Sequence, residues 1–256
     1  MIHPFTWDVS LMRLDYLLHF GHHPWRLLEP ILDFPLILRA IDLLYVLWFI
    51  FLVVSCLWMA WTKRRQLRLC FLVSTLLVWS LLGSGLGTIF SSAGPCYYSK
   101  VTRANDNPFD PLMTRLMEIH QSNSLWAINN QEALWTSSQE DGWLPFGGIS
   151  AMPSIHLAMA MLFVLLAFEM HKWLGVLFTG YAVIMQIGSV ILGWHYAVDG
   201  YAGIILASLV WYAVRRTVKL KVLSEKDNNI VTLTGKIPGD SAAPLRCANN
   251  KNKILV

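Results

Sequence analysis

Two histidines and an aspartate hold the most chemical promise in this chain. His156 stands near the start of the apolar run "SIHLAMAMLFVLLAF", and His195 opens "HYAVD", with Asp199 four residues after it. On a helix, that spacing puts the His195 imidazole and the Asp199 carboxylate on one face. An ionisable group in a membrane-spanning stretch is a functional candidate whose partner should be named, and for His195 that partner is Asp199. A carboxylate fixes the tautomer and orientation of an imidazole, leaving the other ring nitrogen free to attack. A nucleophilic histidine forms a covalent intermediate and splits a hard displacement into two easier steps. A second imidazole, with an unperturbed pKa of about 6.5, can protonate a leaving oxygen and later take a proton from an incoming hydroxyl. Such a set suits phosphoryl or phosphodiester transfer on a lipid, whose phosphate lies at headgroup depth. A structural His–Asp pair at a helix end is the plain alternative.

The other histidines read as surface groups. His3, His19, His22, His23 and His120 fall in polar or amphipathic stretches, and His171 sits beside Lys172 in a short corner. His22 and His23 share a turn, but no third ligand is placed by spacing. Cys56, Cys70, Cys96 and Cys247 form no CxxC pair, so neither a metal nor a redox site is expected. Gly83, Gly85 and Gly87 lie inside an apolar run with no preceding strand, which favours close helix packing over nucleotide binding. Gly200 and Gly203 likewise let a neighbouring helix approach.

The elements that must position these groups follow from hydropathy. Of 256 residues, 55% are hydrophobic and only 14% charged, a balance that belongs to membrane proteins. Apolar runs at about 41–61, 69–90, 152–169, 173–192 and 197–214 each have about the length a helix needs to cross the hydrocarbon. The expected fold is therefore all-α: a polytopic bundle of about five transmembrane helices with amphipathic interfacial helices. Basic clusters at Lys63–Arg68, at His171 and Lys172, and in "RRTVKLK" after the fifth span fall on one side if the spans alternate. The positive-inside rule makes that side cytoplasmic. His156 and His195 then share one depth at the opposite, outer face.

Residues 1–40 mix apolar and charged residues with several prolines, and read as short amphipathic helices on the outer surface. The transmembrane catalytic region is expected over 41–221, with a long outer loop at about 91–151. Within that loop, "DPLMTRLMEIHQ" offers Asp110 as N-cap and Pro111 at the first helical position, and "SLWAINNQEALW" offers a second helix. Residues 222–256 are polar and expected to be a disordered cytoplasmic tail. No secretory signal is evident. The short chain and the lack of an Asn-x-Ser/Thr site outside lean toward a bacterial inner membrane, with the site facing periplasm, or otherwise an organelle lumen.

"PSIH" (Pro153–His156) followed by "HYAVD" (His195–Asp199) resembles the type-2 phosphatidic acid phosphatase superfamily over roughly residues 90–215. Within it, the chain looks most like the inositolphosphotransferase branch of inositol phosphorylceramide synthases. The resemblance implies His195 as nucleophile, Asp199 as its orienter, His156 as general acid/base, and no metal. Ile155 stands where the phosphatase branch has glycine. Gly188 and Ser189 stand where that branch has a Ser-Arg pair, so its phosphate-clamping arginine is missing, and no Lys…Arg-Pro element is evident. These departures favour a phosphotransferase over a monophosphatase. Something must still neutralise the phosphate; the candidates are Lys100 and Arg103, with Tyr97 and Tyr98, in "GPCYYSKVTR". Headgroup contact is the other reading of the two cations. Ser154 is either a phosphate donor or a helix cap.

The expected activity is transfer of a phosphorylated, inositol phosphate-like headgroup from a lipid donor to a lipid hydroxyl through a phosphohistidine. Its partners are membrane lipids and the bilayer; no nucleic acid and no cofactor are expected. With water as acceptor, the same triad makes a lipid phosphatase. Two further readings are a membrane haem protein ligated by His156 and His195, which gives Asp199 no role, and a transporter using the pair as a proton relay.

Overall fold

The computed structural model describes residues 5–102, 106–139 and 148–234, with side chains through Lys219. Every regular element among them is helical, and no strand occurs. The chain divides into two units, Met1–Val218 and Lys219–Val256, and all candidate site residues fall in the first.

Helix α1 (Asp8–Leu18) is followed by α2 (Pro24–Leu27) and a 3-10 turn, Glu29–Asp33. Prolines occupy the first positions of α2, of that turn and of α3 (Pro35–Val46), where a missing N–H removes no helical hydrogen bond. This punctuation keeps the N-terminal helices short. Helix α1 buries Asp8, Leu11 and Asp15, while Leu14, Leu17 and Leu18 are exposed. Its two carboxylates face the protein together with Leu11, and these three leucines face outward.

Helix α4 (Trp48–Trp61) continues α3 after a break at Leu47, beside which the Tyr181 hydroxyl donates to the Leu44 carbonyl at 3.2 Å. The first span thus covers Pro35–Trp61 and begins ahead of the expected Ile41. Arg39 and Asp42 interrupt the hydropathy there, but Asp42 is buried with amide partners: it accepts from Trp126 and Ala127 N–H at 2.6 and 3.0 Å. The second span, Arg65–Ile89, comprises α5 (Arg65–Leu77), a π-helical stretch (Val78–Leu86) and α6 (Gly87–Ile89).

The connection that follows holds α7 (Tyr98–Thr102), α8 (Asp110–Ser122) and α9 (Trp126–Gln139). Asp110 is the first helical residue of α8 rather than its cap. Asn107 closes that end instead, accepting from Phe109 N–H at 3.0 Å and donating to Asp110 at 2.6 Å. Asp42 serves as the N-terminal cap of α9 from a different helix.

The remaining helices are α10 (Ile155–Met170), α11 (Lys172–Ile191) and α12 (Ala197–Thr234). Among the described residues four stretches are long and apolar enough to cross a membrane: the two above, Lys172–Ile191 and Ala197–Lys219; α10 is a fifth, shorter apolar helix. Its 16 residues extend about 24 Å, short of the roughly 30 Å hydrocarbon core. It lies against α11, α5, α4 and the π-helical stretch, and buries Leu157, Met159, Phe163 and Leu166 among others. Apolar residues on every side mark it as the central helix. Phe51 of α4 meets Tyr181 and Phe178 of α11 at ring distances of 5.0 and 5.6 Å. The protein is an all-α, polytopic membrane bundle. Helix α12 runs on to Thr234, past the expected start of the polar tail at 222; residues 235–256 lie outside the described residues. Extending an existing helix avoids the cost of a new nucleus.

Candidate active site

The two motifs are laced together at the start of α10. Ser154 caps this helix, its hydroxyl accepting from Leu157 N–H at 3.4 Å, and its own N–H donates to the Asp199 carbonyl at 3.0 Å. One turn beyond Asp199, Gly203 lies against the Ser154 carbonyl, where a Cβ would collide with backbone. The α11–α12 corner then reverses the chain. Gly193 has φ +76°, and the Ser189 carbonyl accepts from both Trp194 and His195 N–H at 3.0 Å.

His195 is buried at this corner. Its Nδ1 lies 2.9 Å from the Ala151 carbonyl oxygen and 3.6 Å from Asp199 Oδ2. A carbonyl only accepts, so Nδ1 carries the proton and Nε2 keeps its lone pair for attack. The direct orienting hydrogen bond therefore goes to Ala151, whereas Asp199 was expected to supply it. Asp199 is fully buried, and its Oδ2 accepts from Tyr196 N–H at 3.0 Å, holding the carboxylate beside the ring. The partly buried His156 ring faces His195 at 5.7 Å between centroids and 61° between planes. Tyr45 stacks on His156 at 4.9 Å, and Trp48 meets it edge-on at 4.5 Å. Tyr45 and Trp194 are nearly parallel, at 6.4 Å. The Tyr45 hydroxyl and the Trp194 indole N–H are buried without hydrogen-bond partners.

A second layer comes from α1. Asp15 accepts from Ala197 and Val198 N–H at 2.9 and 3.0 Å. Asp8 accepts from Gly94 N–H at 2.9 Å, from Ala93 N–H, and from the Tyr196 hydroxyl at 2.9 Å. Burial raises the carboxyl pKa of both, Asp15 to about 6, against the lowering effect of these donors.

A family model described as the PAP2 superfamily matches residues 9–213, from α1 through most of α12's apolar part. The chain belongs to the PAP2 superfamily. No curated protein and no solved structure matches it. Membership in the PAP2 superfamily brings a phosphatase or phosphotransferase type of lipid-related activity, and with the apolar helices it makes this an integral membrane protein.

The remaining candidates of this PAP2 superfamily chain have other partners. The Tyr97 hydroxyl donates to the Gln131 carbonyl at 2.8 Å, and its ring stacks on Trp135; burial raises its pKa and keeps it protonated. Tyr98 is buried against Phe109. Lys100 Nζ lies 4.7 Å from the centre of the Trp135 ring and 5.7 Å from that of Tyr97. Arg103 lies outside the described residues. Ser154 has the geometry of the cap. The Ser189 hydroxyl turns back to the Gln186 carbonyl at 2.8 Å. No three metal-ligating side chains converge among the described residues. Sequence reasoning missed Ala151, Tyr45, Trp194, Asp8 and Asp15. The last two had a visible signal, two acids seven residues apart on one face of a short, largely apolar helix.

Proposed function

We propose that the protein is a lipid phosphotransferase that moves a phosphorylated headgroup, inositol phosphate-like, from a lipid donor to a lipid hydroxyl through a phosphohistidine. His195 Nε2 attacks the donor phosphorus, forming a P–N bond as the P–O bond to the diacylglycerol breaks. His156 protonates the departing alkoxide. The acceptor hydroxyl then gives its proton to His156 and attacks phosphorus, the P–N bond breaks, and His195 returns to its starting state. The single observation that carries this reading is the pair of facing imidazoles, with His195 Nδ1 occupied by the Ala151 carbonyl.

The donor set favours a phosphodiester. Gly188 and Ser189 supply no cation, and two partnerless donors on residues that flank the pair, Tyr45 hydroxyl and Trp194 N–H, are neutral. A diester has one negative charge, while a phosphate monoester has nearly two at neutral pH, so neutral donors suit the diester better. The rings of Tyr45 and Trp48 against His156 occupy space that a porphyrin between the two imidazoles would need. The site is taken to face periplasm or lumen, opposite the basic corners at Lys63–Arg68 and Lys172.

Mass spectrometry on liposomes containing purified protein, phosphatidylinositol, a polyprenyl phosphate, diacylglycerol and ceramide tests the reading. A new lipid with a transferred phospho-headgroup, absent with His195→Ala, is the expected result. Release of free phosphate with a dephosphorylated lipid would instead make water the acceptor and the protein a lipid phosphatase. Turnover that survives His195→Ala would end the phosphohistidine mechanism.

A further inference from the structure

Among the described residues the reaction leaves three buried carboxylates unused; Asp42 caps α9, and the other two lie on α1. Asp8 and Asp15 are two turns apart, so they share a face, and that face also buries Leu11. Between His195 and Asp199 stand only Tyr196, Ala197 and Val198, and α1 holds all three. Asp15 takes the Ala197 and Val198 amides, one on each oxygen; Asp8 takes the Tyr196 hydroxyl. Asp8 also accepts from Gly94 N–H. Gly94, at φ +92°, sits under the Trp194 carbonyl, where any side chain would collide, and the Cys96 N–H donates to the Gly193 carbonyl at 2.9 Å.

A helix start is ordinarily closed by an oxygen-bearing side chain at its own N-cap. The residue before α12 is Tyr196, whose hydroxyl is engaged by Asp8, and the α12 amides are closed from α1 instead. An ordinary cap steadies a helix. This one steadies the five-residue stretch whose two ends are His195 and Asp199. We propose that Asp15 and Asp8 are positioning residues of the active site: α1 clamps the His195–Asp199 turn and thereby sets His195 against His156. An N-terminal helix that would otherwise count as a surface attachment becomes part of the catalytic frame. The rate readout below rests on the phosphotransfer reading; the exchange readout does not.

The test uses the full chain in nanodiscs containing phosphatidylinositol and ceramide, with Asp15→Asn, Asp15→Glu and Tyr196→Phe. Catalytic geometry is sensitive to displacements near 1 Å, which cost about a hundredfold, so a loosened clamp should lower kcat by about tenfold or more. The expected pattern for Asp15→Asn is that loss with KM within about twofold, partial recovery in Asp15→Glu, and faster amide exchange confined to the peptide spanning 194–199. Should Asp15→Asn fail to fold, Tyr196→Phe decides, by a several-fold fall in kcat at constant KM. Unchanged kcat in the folded variant, or faster exchange spread evenly over the chain, would overturn the clamp. If the wild type turns over no lipid, the phosphotransfer reading fails on its own, and unaltered local exchange in Asp15→Asn would still reject the clamp.

Discussion

Neutral donors where a cation would be expected make a sharp claim about individual residues. A hydrogen bond from a charged donor contributes about 1.5–3 kcal/mol and a neutral one about 0.5–1.5 kcal/mol, so Tyr45 and Trp194 would stabilise transferring charge modestly. In the proposed reaction each donor would meet charge that develops in the transition state, and removing one such donor elsewhere costs about a hundredfold or more in kcat. Tyr45→Phe and Trp194→Phe are therefore each expected to lower kcat about tenfold or more, with less than additive losses in the double variant. Steady-state kinetics on the lipid donor checks this, and an unchanged kcat in both removes them from the phosphate. The Ala151 carbonyl leads to a second expectation. Because it already holds the Nδ1 proton at 2.9 Å, Asp199→Asn should not scramble the tautomer; activity should fall well short of the complete loss in His195→Ala, and equal losses would return the orienting role to Asp199. His156, His195 and Asp199 stood out because histidine and aspartate are rare in apolar runs. The structure brings the three together, with His195 in the corner ahead of α12 rather than on its face. Ala151 did not stand out, since a backbone oxygen has no residue type. Tyr45 and Trp194 were hidden among 8 tyrosines and 12 tryptophans.

Among the elements, α1 departs most from what its composition suggests. Amphipathic reasoning assigns the polar face to solvent, but outside this bundle the solvent is largely lipid, so Leu14, Leu17 and Leu18 face outward and the carboxylates turn in. That inversion has a pH consequence. Burial raises Asp15 from 3.8 to about 6, with His19, just past the end of α1, and Asp199 on α12 as the titratable groups that face it. A carboxyl raised on folding binds its proton better in the folded state. The resulting stabilisation is complete below about pH 3.8 and is lost as pH rises through about 6, roughly 3 kcal/mol in all. Asparagine cannot ionise, so the Tm of Asp15→Asn relative to wild type should climb between pH 4 and 6.5; a constant difference would show that Asp15 does not titrate there. The contact between helices at Gly203 is equally specific. A Cβ there meets the Ser154 carbonyl, which cannot swing away as a side chain would, so Gly203→Ala should part the two motifs and lower kcat about tenfold or more. Wild-type kinetics in that variant would show that α10 and α12 tolerate separation. The spans themselves were legible from hydropathy, apart from the Pro35 start, where a charge partnered inside the fold looks the same in sequence as one in water.

At the scale of the molecule, the depth and sidedness of the site follow from unequal helix lengths and from charge. Helix α10, about 24 Å long, is sheathed by longer neighbours. His156, one residue inside its start, therefore need not reach the headgroup plane, and in the proposed reaction a lipid phosphate would be drawn inward to meet it. The partnerless donors at Tyr45 and Trp194 can offset part of the hydration lost on that path. Lys63, Arg64, Arg65 and Arg68 cluster at one turn between spans, and Lys172 opens α11 at another; in the proposed orientation both remain in the cytoplasm because cations resist translocation. The first turn of α10 lies at the opposite end of that helix from Lys172, so in the proposed orientation the site would open outward, where donor lipid, acceptor lipid and α8 would meet. Thiol labelling with a membrane-impermeant maleimide measures this directly. With Cys56, Cys70, Cys96 and Cys247 replaced by alanine or serine, Glu118→Cys on α8 should label in intact cells, while Arg64→Cys and Lys172→Cys should label only after the membrane is opened. The reverse pattern would turn the site toward the cytoplasm and change which lipid leaflet supplies both substrates. Equal labelling of all three in intact cells would mean that the basic corners are not held on one side, and the alternation of spans from which the orientation was argued would have to be abandoned.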